Sequence, residues 1–118
     1  APAIQEAIYD TRDKYFDFDS YFPYVADHIV CKPTFGSMDL QNLLFVIDDM
    51  TGTQSGEIAE ITLCGLCTGI CVLSNAILCK ATLPEVPVKV IEDCCACVTP
   101  DSHKTAIEAM KLCQIEII

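Results

Sequence analysis

Basic residues are scarce in this 118-residue chain: seven Lys and Arg stand against seventeen Asp and Glu, for a formal charge of −10 at pH 7. A surface of that sign repels phosphate backbones and anionic headgroups, which argues against nucleic acid and membranes as partners. Long apolar runs are absent as well. No stretch approaches the roughly eighteen apolar residues that mark a membrane-spanning helix, and the N-terminus carries neither a basic region nor the apolar block of a secretory signal. Charged residues amount to 20% against 52% hydrophobic, and the mean hydropathy is +0.38. That balance excludes disorder and predicts an apolar interior. At this length a single domain over 1–118 is expected, with no room for a second core.

Cysteine, by contrast, is abundant, with nine residues at positions 31, 64, 67, 71, 79, 94, 95, 97 and 113. Most lie inside apolar stretches such as Ile70-Cys-Val-Leu, and the count is odd. Both features argue against a secreted disulfide framework and for reduced thiols in a cytoplasmic protein.

Residues 3–11 form a short apolar piece, and the acidic, aromatic stretch 13–24 has no clean period and is expected to be a loop. A short strand is predicted over 27–31, stopped by Lys32-Pro33, because the residue before proline is pushed toward extended backbone. From Ser37, apolar Leu40, Leu43, Leu44, Ile47 and Met50 recur at helical spacing, with Ser37 and Asp39 suited to the first turn. Turn residues at 51–56 precede a β-branched strand over 60–64 that a glycine should break. Residues 70–81 are apolar nearly all round, the pattern of a buried helix, and Leu83-Pro-Glu-Val-Pro87 ends it. A strand follows over 88–91. Thr99-Pro100 then supplies an N-cap and a first-turn proline for a helix over 101–113, with Ile107, Met110 and Cys113 on its inner face. A last strand is expected over 114–118.

Strands alternating with helices predict an α/β three-layer sandwich with a mainly parallel sheet, joined by right-handed crossovers. Ligands in such folds bind beyond the carboxyl ends of the strands, where Lys32, Cys67, Cys71 and the 94–99 segment should gather. Cys71 lies in the first turn of the predicted buried helix, where free N–H groups and the helix dipole favour a negatively charged sulfur. Ordinary packing is the competing account. Cys64-Gly-Leu-Cys67 followed by Cys71 has the spacing of a redox pair or metal site, which Cys94, Cys95 and Cys97 could complete. The plainer account is that Cys64, Cys79 and Cys113 pack in the core. His28 is expected to be structural and His103 a helix-start residue. Asp13, Asp17 and Asp19 lack the glycine and terminal glutamate of a calcium loop.

Three segments together, Lys32-Pro-Thr-Phe-Gly-Ser37, Gly65-Leu-Cys-Thr-Gly-Ile-Cys-Val-Leu-Ser-Asn-Ala76 and Glu92-Asp-Cys-Cys-Ala-Cys-Val-Thr-Pro-Asp-Ser-His103, resemble the isochorismatase-like cysteine hydrolases, the superfamily that includes nicotinamidase. The likeness runs from about residue 8 to 118. It implies that Cys71 is the nucleophile, that Lys32 completes the catalytic pair, and that the Leu66–Cys67 peptide is cis. The backbone N–H groups of Cys67 and Cys71 would form the oxyanion hole. The reaction implied is hydrolysis of a small amide such as nicotinamide through a thioester on Cys71, with a small-molecule substrate and a homo-oligomeric assembly.

The sequence departs from the family pattern at three points. The family's general base, an Asp ending its first strand, is not found, because that strand would precede residue 1. Phe45-Val-Ile-Asp-Asp-Met50 has similar wording but helical spacing, so neither Asp48 nor Asp49 is assigned as the base. Thr11-Arg12-Asp13 resembles the segment where nicotinamidases carry an Asp-x-His metal pair, but position 15 is Tyr, which leaves Asp13 without its imidazole partner. No cofactor is therefore expected, zinc being left with Asp13 as a weak candidate ligand. Gly69 stands where the family has an acidic residue. A truncated or degenerate non-catalytic relative, and a cysteine-based metal or redox protein, remain as alternative functions.

Overall fold

In the computed structural model residues 30–49 and 58–118 are described. The chain divides into two compact units, Ala1–Pro33 and Thr34–Ile118. Of the first, residues 30–33 are described and are irregular, so most of the strand expected over 27–31 lies outside the described residues. All further elements belong to the second unit.

Helix α1 covers Met38–Asp49. Ser37, expected in its first turn, stands just ahead of it and caps it: its Oγ accepts the N–H of Leu40 at 3.1 Å, satisfying one of the donors that a helix start leaves over. Strand β1, Ile61–Leu66, is followed by a π-helical turn at Thr68–Val72 that runs directly into helix α2, Leu73–Thr82. Strand β2 is Val88–Ala96, helix α3 is Pro100–Leu112, and strand β3 is Glu116–Ile117. The three strands form a parallel sheet in the order β1-β2-β3, which confirms the α/β class.

Val72, Ala76 and Cys79 of the π-turn and α2, Ile107 and Met110 of α3, and Val88 and Val90 of β2 join Ile115 in one buried cluster. Side chains two apart on a strand share a face, so α2 and α3 cover the same side of the sheet. On β1, Thr62, Cys64 and Leu66 alternate outward and are exposed. Lys89 ties the sheet across its width, with Nζ 2.9 Å from Glu60 Oε2 and 4.0 Å from Glu116 Oε2.

Several expectations need correction. Gly65 does not end β1 but bends it. Pairing is regular from Ile61 with Val88 to Leu63 with Val90, then resumes at Gly65 with Cys95, so a single residue of β1 faces residues 91–94 of β2. Gly65 adopts φ +125°, which a residue with a Cβ rarely reaches. β2 therefore runs to Ala96, and Cys94 and Cys95 belong to the strand, not to the loop after it. The helical run over 68–82 buries one side only: Ile77 and Ala81 are exposed. Cys113 is the exposed C-cap of α3, and Cys64 is exposed too, so of the three cysteines expected in the core only Cys79 is buried.

The last strand is short for a local reason. Gln114 takes a left-handed conformation at φ 63°, its N–H bonds Lys111 O at 3.0 Å, and the Ile115 N–H bonds Met110 O at 3.0 Å. This is a Schellman closure, which uses residues 114 and 115 to end α3 before β3 can begin. Ile118 still exchanges bonds with β2, its N–H to Val90 O at 2.8 Å and the Glu92 N–H to its own carbonyl at 2.9 Å.

Candidate active site

The carboxyl ends of β1 and β2 lie side by side, Leu66 paired with Ala96, and the segments that leave them form the candidate site. The Leu66–Cys67 peptide is cis, as the family resemblance implies. Cys67 is extended, and its carbonyl accepts two N–H groups, from Ile70 at 3.0 Å and from Val72 at 3.1 Å. The second of these, five residues on, defines the π-turn. Cys71, half-buried, sits inside that turn, four positions from Cys67. The predicted helix start at 70 thus moves back to 68, and Cys71 lies in the opening turn of the helical run.

Thr68, with no exposed surface, is the buried polar residue of the turn. Its Oγ1 lies 2.7 Å from His103 Nδ1, and His103 Nε2 lies 3.3 Å from Glu92 Oε1. Glu92 precedes the resumed pairing and stays in phase with Val88 and Val90, which directs it to the side where α3 lies. His103 is held by the start of α3, where its N–H bonds Thr99 O at 3.0 Å and Thr99 Oγ1 caps Ser102 N at 3.0 Å. It is a helix-start residue, as expected, and it also pins the turn.

Gly69 packs directly on α3. A Cβ at this position would stand 3.3 Å from Ala106 Cβ and 3.4 Å from Cys97 Sγ. The acidic residue that the family pattern has here would press on both, and glycine lets the turn sit close on α3.

On the other side of the turn, Asn75 on α2 is buried at 9% exposure. Its Nδ2 donates to Cys71 O at 2.9 Å and to Phe35 O at 3.1 Å, and its Oδ1 accepts the N–H of Ser37 at 2.9 Å. One amide thereby joins the 35–37 segment to the Cys71 turn. Sequence reasoning missed Asn75, although a lone amide in an apolar helix is the one visible sign of such a bridge.

A family model for the isochorismatase domain matches residues 18–118. The chain belongs to the isochorismatase family. That membership places it in a hydrolase superfamily and agrees with the α/β fold; comparison with curated proteins and with solved structures finds no match.

In this isochorismatase-family chain the second unit brings together Cys67, Thr68, Cys71, Cys97 and His103. Lys32 belongs to the first unit, in irregular backbone and half-buried. Asp13, Tyr15 and His28 lie outside the described residues. Asp48 is on α1, and its Oδ1 accepts the N–H of Ile58 at 3.1 Å. The helix keeps it from serving as the end of a strand, where the family places its base.

All nine cysteines are free thiols. Among the described residues no group of three or more His, Cys, Asp or Glu could hold a metal ion, so Cys64, Cys67 and Cys71 do not converge on one centre. Burial pushes the Cys79 thiol upward. Cys95 is raised as well, chiefly by burial; the Gly65 N–H donating to its sulfur pulls partly back, and negative charge on Cys64, Cys94 and Glu92 adds to the rise. Among the described residues no helix is long and apolar enough to cross a membrane.

Proposed function

We propose that the protein is a cysteine hydrolase that cleaves a small amide, with nicotinamide as the model substrate. The observation that carries this reading is the turn itself: Cys71 stands in the first turn of a helical run at the carboxyl end of β1, and the Cys67 carbonyl is tied into that helix.

In the proposed reaction the Cys71 sulfur attacks the amide carbon, and the oxyanion that forms is met by the N–H groups of Cys67 and Cys71. Collapse, with the proton given up by the thiol passing to the amide nitrogen, expels ammonia and leaves a thioester on Cys71. Water then attacks the thioester, releasing the carboxylic acid and returning the thiol, so that amide and water give acid and ammonia. Lys32 takes the role of the family's catalytic lysine in this reading, following the resemblance.

The test is ammonia release from nicotinamide by the native protein and by Cys71→Ala. One ammonia for each nicotinate, abolished in Cys71→Ala, is the expected result; equal turnover by the variant overturns the assignment. A second reading is a non-catalytic relative that retains the fold. A native protein without turnover across small primary amides would support that reading.

A further inference from the structure

We propose that His103 and Glu92 are positioning residues for the nucleophile turn, acting on Cys71 through the buried hydroxyl of Thr68. This inference rests on the cysteine-hydrolase reading of Cys71. The order hydroxyl, imidazole, carboxylate is that of a nucleophile with its base and orienting acid. Thr68, however, has no exposed surface, so no substrate carbonyl can reach its oxygen. The array must act on the position of the turn.

The direction of each bond follows from the tautomer of His103. An ionised Glu92 can only accept, so His103 Nε2 carries a proton and donates to it. In the neutral imidazole that leaves Nδ1 as the acceptor, and the Thr68 hydroxyl donates to it across 2.7 Å. A buried hydroxyl with no partner is costly, so Thr68 holds to His103 and cannot rotate freely.

Thr68 directly follows Cys67 and lies three positions before Cys71, between the two candidate oxyanion donors. His103 in turn is fixed by the capped first turn of α3. Gly69 lets the turn lie against Ala106 of the same helix. The turn is thus seated on α3 by packing at Gly69 and by a polar pin at Thr68. Reacting groups need placement to within about 0.5 Å, and this pin contributes to it together with the Asn75 bond to Cys71 O.

Two substitutions separate the contacts. Asn at position 103 presents its amide near the place of Nδ1 and preserves a bond to Thr68, whereas Gln reaches toward the place of Nε2 and preserves the bond to Glu92. In the full-length protein, iodoacetamide labelling of Cys71 is read by mass spectrometry against exposed Cys113 in the same sample, alongside kcat and KM for nicotinamide. His103→Gln should lower the Cys71 labelling rate and kcat by about tenfold, with KM little changed. His103→Asn should recover most of that loss. Glu92→Ala, at a side chain 45% exposed, should move labelling in the same direction by a smaller factor.

Native labelling in His103→Gln, or an equal loss in His103→Asn, overturns the positioning role. Should the His103 variants fail to fold, native labelling in Glu92→Ala does the same. The labelling needs no turnover, so a native protein that releases no ammonia defeats the hydrolase reading while the labelling still decides this one.

Discussion

Asn75 Oδ1 accepts the backbone N–H of Ser37 at 2.9 Å, joining the start of α1 to the helix that carries the candidate nucleophile across 38 positions of sequence. The same amide donates to the carbonyls of Phe35 and Cys71, so a single side chain satisfies backbone groups of three different residues. Buried backbone groups are seldom left without partners, and here the partner is not secondary structure but one asparagine.

Asn75→Ala removes all three bonds at once. The buried Ser37 N–H left unsatisfied costs about 1–3 kcal/mol, and a loss in that range is expected in urea unfolding. Asn75→Asp keeps the acceptor for Ser37 but turns a carboxylate toward two carbonyls and should be no better. A midpoint unchanged in both variants would show that the bridge contributes nothing.

Thr99→Ala takes away the acceptor for the Ser102 N–H at the start of α3. The loss should be about 0.5–2 kcal/mol, the usual range for an N-cap. Thr99→Ser retains the oxygen and should remain near the native midpoint, and this pair of denaturation curves is the check.

Gln114→Gly should stabilise the protein by about 0.5–1 kcal/mol, because Gln114 holds φ 63° in the Schellman closure and glycine reaches that region without a Cβ clash. The gain appears as a higher melting temperature. A lower one would mean that the Gln114 side chain makes up for its backbone.

Cys79 and Cys95 should be alkylated late and only at raised pH. A raised thiol carries less thiolate at any given pH, so the labelling profiles of both move to higher pH than that of an ordinary thiol. Cys79, at 1% exposure, should also remain slow at its plateau, while exposed Cys64, Cys94 and Cys113 label first. Labelling of Cys79 together with that exposed group, followed residue by residue across the pH series, would contradict the burial.

The sequence by itself determined the order of the described elements, the parallel α/β class and both helix caps, Ser37 and Thr99. Their signals are local: apolar spacing at a fixed period, a side-chain oxygen just ahead of a helix, a proline at its first position. Tertiary structure alone decided the rest. The register jump between Leu63 and Gly65 carried β2 on to Ala96, and residues 114 and 115 went to closing α3 and not to β3. Thr68 met His103 across 35 positions and Asn75 met Ser37 across 38. Such contacts have no period and no spacing of their own. They exist only once the sheet has set which strand ends lie side by side, and a buried hydroxyl or amide must then bond whatever the packing has placed next to it.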